Sequence, residues 1–356
     1  MIERFSALIP LLTCVFAGCS SYKPNISAAC EENSLKSATL KWETFPAMNG
    51  LLKVYASSNP DNIPLENPIA TTSISEQMIT ISTNGFTHRM YYTMVFNDEY
   101  PVTVASRRVF IPGTLNFRDI GGYRTKSREE VAWRRIYRSD CLDSIGESGA
   151  EVLKSLGIKT IIDLRSPSEK KGNPSYFKPF KQVPIPLCSD EFDTFYADAY
   201  SGVLNMDSLR NEILHINVEI LEEQWKSLRK LFRVLQDEDN YPVVIECSSG
   251  NLRTGLVTAF LLGALGVSHE TIVQDYELSN YYSSVPHVCN IGYSLPEEAQ
   301  EMVTAVYTSR AENIDDIYDY ILERYDGVES YLRHKLGLSQ KELKHFRRLM
   351  LKPIGE

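Results

Sequence analysis

The sequence predicts an α/β domain with a mainly parallel sheet flanked by helices, preceded by a small all-β sandwich. Three observations carry this. Residues 36–111 alternate apolar and polar with period two, between clusters of Asn, Asp, Pro and Gly such as SSNPDN and STNG. After Pro112-Gly113 the pattern changes to short continuous apolar runs, IKTIIDL (158–164) and YPVVI (241–245), alternating with stretches of helical spacing. A chain of 356 residues is long enough for about two domains, each burying its own core.

Taken in order, residues 1–18 (MIERFSALIPLLTCVFAG) place one early cation, Arg4, before a mostly apolar run from Phe5 to Gly18. The run is too short to span a bilayer and sits where a secretory signal has its apolar region. It closes on Phe16-Ala17-Gly18-Cys19 and then turns polar, which resembles the lipobox of bacterial lipoproteins. That resemblance implies cleavage before Cys19, acylation of its thiol and amine, and a lipid-anchored protein of the cell envelope, periplasmic or at the cell surface. Several acyl chains anchor stably where a single chain holds only marginally. The alternative is a plain cleaved signal peptide with an incidental cysteine. Residues 19–35 are polar and read as a tether.

Strands are expected over Ala38–Glu43, Leu52–Tyr55, Met78–Ser82, Met90–Phe96 and Val102–Phe110. Trp42 on an early strand and the later YYTMVF run resemble fibronectin type III domains, with Trp42 as a core residue. Beyond Pro112, helical spacing covers Glu147–Leu156, Ile220–Leu235, Arg253–Leu265, Ile317–Leu336 and Gln340–Leu351. Residues 188–212 mix Asp, Tyr, Phe and Ser and read as a long excursion or lid. No other stretch reaches the length of a membrane helix.

The balance of 37 Lys plus Arg against 46 Asp plus Glu gives a net charge of −9, which argues against a nucleic-acid partner. Seven cysteines are too few for a disulfide scaffold, and neither they nor the six scattered histidines show metal-ligand spacing, so no metal site is expected. Nothing in the sequence specifies an oligomeric state.

The chemistry concentrates at one strand-to-helix turn, ECSSGNLRTG (246–255). A loop entering a helix N-terminus turns successive backbone N–H groups inward and forms an anion cradle, here Ser248, Ser249, Gly250, Asn251 and Leu252. Gly250 allows the positive φ that a tight cradle needs. The same partial positive charge favours a thiolate, making Cys247 a candidate nucleophile. Arg253 offers a planar fork for two phosphate oxygens, and the Thr254 hydroxyl is placed to support the departing sulfur. The alternative is a buried free cysteine beside a capping loop.

The turn resembles the HCxxGxxRTG signature of the cysteine-dependent protein tyrosine phosphatases. LNFRDIGGY (115–123), IYRSD (136–140), IIDLRSPSE (161–169), IVQDYELSN (272–280) and VESYLRHKLGLSQKE (328–342) are similar to the atypical bacterial tyrosine and dual-specificity branch. The resemblance runs over about residues 112–353. It implies a metal-free, cofactor-free phosphatase domain (112–356) that hydrolyses a phosphorylated protein or small phosphomonoester through a phosphocysteine.

Two departures bear on activity. Glu246 stands where the family usually has His, and a carboxylate there tends to raise the thiol's pKa. Asn251 and Leu252 stand where this branch often has Lys-Asp, the Asp being its expected general acid. Substitutes for the acid are Asp163, Asp119, Asp190 and Asp193, while Arg118, Arg138 and Arg165 either line the mouth or pair with those acids inside the fold. Three functions stay open: a lipid-anchored phosphatase, a catalytically weak phosphate-binding pseudophosphatase, and a surface-adhesion protein acting through its sandwich. If the sandwich is a separate module, deleting residues 36–110 leaves small-substrate hydrolysis intact.

Overall fold

The computed structural model describes residues 23–33, 35–85, 88–170, 177–188, 192–201, 203–283 and 294–354. Cys19 and the segment read as a signal lie outside them. The first strand, β1 (Asn25–Asn33), pairs antiparallel with β2 (Ser37–Phe45) along its whole length, Asn25 opposite Phe45 and Asn33 opposite Ser37. The tether expected over 19–35 is therefore corrected from Asn25 onward. Ile26, Ala28 and Cys30 do face the core at alternate positions, but small Ala28 and the acidic Glu31-Glu32 pair mask the period.

Strands β3 (Leu51–Ser57), β4 (Ala70–Ser73), β5 (Met78–Ser82), β6 (Tyr91–Phe96) and β7 (Tyr100–Val104) complete two antiparallel sheets, ordered β1-β2-β5 and β4-β3-β6-β7. Leu40, Trp42, Leu52, Val54, Met94 and Phe96 form a core common to both. The Trp42 Nε1 donates to the Ile74 carbonyl at 2.7 Å, and its ring meets Phe96 edge-on at 6.3 Å. A buried indole needs both the apolar contact and the hydrogen bond, and Trp42 has both.

The second part of the chain contains a mixed five-stranded sheet. Its elements are β8 (Arg118–Asp119), β9 (Glu129–Val131), β10 (Ile136–Ser139), α1 (Gly146–Ser155), β11 (Thr160–Asp163), β12 (Lys181–Pro184) and α2 (Phe192–Ser201). Next come α3 (Met206–Glu223), α4 (Trp225–Val234), β13 (Val243–Glu246), α5 (Leu252–Ala264), α6 (His269–Glu277) and α7 (Ser279–Tyr282). Helices Glu297–Tyr307, Ala311–Tyr325, Val328–His334 and Gln340–Met350 follow, and β14 (Leu351–Pro353) pairs with β9.

The sheet order is β12-β11-β13-β10-β8, with β8 antiparallel to β10 and the other neighbours parallel. Helices cover both faces, as a parallel sheet requires. Tyr137, Ile161 and Val244 pack toward α1, whereas Ile136, Ile162, Val243 and Ile245 pack toward α5. Every residue of α5 except Gly263 is buried, which explains its all-round apolar sequence. The turn of interest leaves the carboxyl end of β13, the inner strand between β11 and β10, where open α/β sheets place their ligand crevices.

Three further expectations change. Residues 188–212 hold α2 and about the first two turns of α3, the latter opened by an Asn205–Ser208 capping box. The helical stretch around 220–235 is two helices meeting at Gln224. Ile317–Leu336 is broken at Asp326, whose φ of 62° is a left-handed cap before Gly327. Apolar periodicity continues across both breaks, so it hides them.

Candidate active site

Cys247 is 1% exposed and follows β13 directly. The loop after it is held from outside by its carbonyls. Asn116 Nδ2 donates to the Ser249 and Gly250 carbonyls at 3.3 and 3.2 Å, and Arg138 Nη2 donates to the Gly250 carbonyl at 2.8 Å. The Cys141 N–H donates to the Ser248 carbonyl at 3.4 Å. In a trans peptide the next residue's N–H points opposite to the carbonyl. Three carbonyls tied outward therefore aim the N–H groups of Ser249, Gly250 and Asn251 to the other side, where the Asn251 N–H also donates to Ser249 Oγ at 3.4 Å, and this is the geometry of an anion cradle. Gly250 has φ +68°, and a Cβ there would lie 2.5 Å from the Asp140 nitrogen, so position and handedness both require glycine.

Arg253, 3% exposed, opens α5. Its Nη1 and Nη2 reach Glu169 Oε2 and Oε1 at 2.7 and 2.6 Å. Glu169 also accepts from Ser248 Oγ at 2.6 Å and the Ser166 N–H at 2.8 Å. Burial pushes the Glu169 carboxyl up, but the hydrogen bonds and charge of Arg253 outweigh it and hold the group at about 2. The pair is thus fully ionised at working pH. Glu169 lay within the quoted SPSE motif, but nothing in sequence spacing pairs it with an arginine 84 positions away. Thr254 is wholly buried, and its Oγ1 has no hydrogen-bond partner among the described residues. Asn251 turns away from the loop, donating to the Tyr307 carbonyl at 3.0 Å and accepting from Ser309 at 2.5 Å. The Tyr307 ring stacks on Tyr196 of α2, and Tyr196 lies near Arg253 and Cys247.

The candidate acids are committed elsewhere. Asp163 binds Arg165 at 3.0 Å and Lys170 at 2.9 Å, beside a cavity of about 190 Å³ that Glu246 and Asp143 also line. Arg165 faces this cavity as well, its fork spent on Asp143 and Asp163 and one Nη1 bond of 2.9 Å on Cys141 Sγ. Asp119 is fully buried and accepts from Arg89, the Arg134 N–H and the Gly121 N–H. Asp119 and Asp163 are thus both held in ion pairs, and the donors of Arg165 go to Asp143, Asp163 and Cys141. Asp190 and the Asp193 side chain lie outside the described residues. Arg118 and Arg138 pair with none of those acids: both pair inside the fold with Asp275, at 3.5 and 2.7 Å. Two buried guanidiniums against one carboxylate leave positive charge beneath the loop, and burial together with Arg138 lowers the Arg118 guanidinium to about 10.

Glu246 is 2% exposed and accepts the Leu142 N–H at 2.7 Å, tying the strand end to the segment that carries Asp140 and Cys141. Burial, then the charge of Asp163, raises its carboxyl to about 8 against the opposing Arg165. It is therefore mostly protonated at neutral pH and adds little negative charge beside the thiol. Folding favours its protonated form, so that stabilisation is full below the ordinary glutamate range and is lost as pH rises through about 8. Glu246→Gln, always neutral, is expected to lose less stability between about pH 6 and pH 9 than the wild type. Urea midpoints at the two pH values measure this, and equal losses would show that Glu246 does not titrate in that window.

A buried cysteine, inward amides and a clamped arginine at the carboxyl end of an inner strand define a site built for a tetrahedral oxyanion. The model of the Tyrosine phosphatase family matches residues 109–352. The triple specificity protein phosphatase PtpB of Mycobacterium tuberculosis is 27% identical over 281 residues, 68% of this chain and 98% of the relative. A putative tyrosine-protein phosphatase of Cupriavidus necator is 24% identical, covering 64% of this chain and 84% of its own length. The core catalytic domain of the PP-IP phosphatase SIW14 from S. cerevisiae aligns with a TM-score of 0.32 at 16% identity, covering 62% of this chain and 96% of that one. The chain belongs to the tyrosine phosphatase family and is a cysteine-dependent protein phosphatase.

Proposed function

We propose that the protein hydrolyses phosphomonoesters, phosphotyrosine foremost, through a phosphocysteine at Cys247. The Cys247 thiolate attacks phosphorus, the S–P bond forms, and the P–O bond to the alcohol or phenol breaks as the leaving oxygen takes a proton. Water then attacks phosphorus, the S–P bond breaks, and thiolate and inorganic phosphate are released. The cradle of loop amides and Arg253 stabilises the equatorial oxygens in both steps. The observation that carries this reading is the outward tethering of the loop carbonyls by Asn116 and Arg138, which presets the amides. The unpartnered Thr254 hydroxyl supports a role toward the sulfur, since a buried hydroxyl without a bond is costly.

The test is hydrolysis of p-nitrophenyl phosphate under reducing conditions. Cys247→Ser is expected to bring the rate to background, and activity that survives it would sink the thiolate mechanism. The second reading, a phosphate-binding protein that turns over slowly, is favoured by Leu252 in place of an acid. It predicts tight phosphate binding with wild-type turnover only slightly above the Cys247→Ser background. A relative named for triple specificity is a reason to assay more than one class of phosphomonoester.

The N-terminal strands are read as a fibronectin-III-like sandwich, and Cys19 as the acylated residue of a lipoprotein held at the membrane outside the cytoplasm. Cys19→Ser is expected to move the protein from the membrane to the soluble fraction. Unchanged fractionation refutes the anchor.

A further inference from the structure

The two-residue ladder between β8 and β10 has different partners on its two faces. Asp119 lies opposite Tyr137 and Arg118 opposite Arg138, and consecutive side chains of a strand point to opposite faces. On one face, Arg89 reaches in from the connection between β5 and β6. Its side chain is 8% exposed, and Nη1 donates to Asp119 Oδ2 at 2.7 Å, Tyr91 OH at 2.8 Å and Tyr137 OH at 3.1 Å. On the other face, Arg138 holds the Gly250 carbonyl, while Arg118 donates to Asn116 Oδ1 and Asn116 holds the Ser249 and Gly250 carbonyls. One backbone step separates Tyr137, gripped by Arg89, from Arg138, which grips the loop, and one step separates Asp119 from Arg118, which holds Asn116.

We propose that Arg89 is a positioning residue for the phosphate cradle, so that the N-terminal strands form part of the catalytic unit and are not a detachable module. The inference rests on the phosphocysteine reading, because it concerns the aim of that cradle. It reverses the expectation that residues 36–110 can be deleted without effect on hydrolysis. The physical link is short: Asp119 and Tyr137 without Arg89 must find new partners, and the ladder moves with them. A shift of the ladder carries Arg138 and Asn116, and with them the direction of the Ser249–Asn251 amides. Catalysis is sensitive to displacements of that kind, since oxyanion donors act only when aimed at the oxygen.

The full-length chain is the material for the test. Arg89→Met combined with Asp119→Asn removes both charges and leaves no buried unpaired carboxylate, while Arg89→Lys keeps the charge and loses the planar fork. At a temperature where circular dichroism shows the variants folded, the double variant is expected to lose about tenfold in kcat on p-nitrophenyl phosphate. Inhibition by inorganic phosphate should weaken by a similar factor, and the pH midpoint for alkylation of Cys247 should rise. Arg89→Lys should recover part of each. A folded double variant with wild-type kcat, phosphate inhibition and alkylation profile overturns the proposal and leaves Arg89 with a purely structural role. If the double variant does not fold, Arg89→Lys decides: wild-type kinetics from it overturn the proposal equally. Wild-type hydrolysis that persists in Cys247→Ser signals instead the failure of the phosphocysteine reading.

Discussion

Arg253→Ala is expected to lower kcat/KM for p-nitrophenyl phosphate by about 10²–10³-fold, comparable to removing one donor from an oxyanion hole. That corresponds to roughly 3–4 kcal/mol of transition-state stabilisation. The guanidinium is buried, planar and held by two short bonds to Glu169, so little conformational entropy is lost when phosphate arrives. Arg253→Lys should recover only a small part, because an ammonium supplies charge without the two-pronged geometry. Glu169→Gln is the informative companion. It leaves the arginine in place but removes the charge that fixes its plane, and the expected loss is smaller and mostly in KM. Since Glu169 is held at about 2, its ionisation does not contribute an acidic limb above about pH 4. Steady-state kinetics of the three variants settle the matter. If Arg253→Ala retains wild-type kcat/KM, the cradle does not use the guanidinium.

Leu252→Asp is expected to increase turnover of phosphotyrosine substrates by roughly 10–100-fold. Position 252 begins α5, immediately before Arg253, and its side chain is 8% exposed. General acid catalysis typically contributes about 10²–10⁴-fold. The gain belongs at the low end, because the helix N-terminus favours the ionised carboxylate and so weakens it as an acid. The gain should depend on the leaving group. A phenol as basic as tyrosine needs a proton as it departs, whereas p-nitrophenol leaves without one, so p-nitrophenyl phosphate should gain far less. A basic limb in the pH–rate profile, activity falling as the new carboxyl ionises, should appear with it. Equal gains on both substrates, or none, would show that proton transfer to the leaving oxygen does not limit the wild type.

The sequence made the centre of this site legible because its chemistry is local. A continuous apolar strand, a glycine-bearing turn and an apolar helix lie within about twenty residues, and each leaves its own mark in the pattern. What surrounds the centre is built from distant polar pairs, which have no period. Glu169 meets Arg253 across 84 positions, Asn116 meets Gly250 across 134, and Arg89 meets Asp119 from a separate β region. Asp119 and Asp163 looked like proton donors because an isolated aspartate in a motif reads the same whether it is reactive or ion-paired. Strand β1 reads as a tether because small and acidic residues interrupt its alternation. Glu246 gave the opposite kind of error: its type was read correctly, but its protonation state depends on burial beside Asp163, which only the folded arrangement supplies.

Helix α5, enclosed on nearly every side, has a consequence for selectivity. A loop rooted in so immobile an element presents the same outline to every phosphate group that enters it. On the proposed mechanism it would meet the part common to all phosphomonoesters, whatever the phosphate is attached to. Preference among targets must then be written at the rim, where Tyr196 of α2 stacks on Tyr307 beyond the loop. Both rings stand on helices outside the loop, and the Tyr307 carbonyl meets the loop through Asn251 at 3.0 Å. The part that meets the phosphate and the part that borders it are thus carried by different segments of the chain.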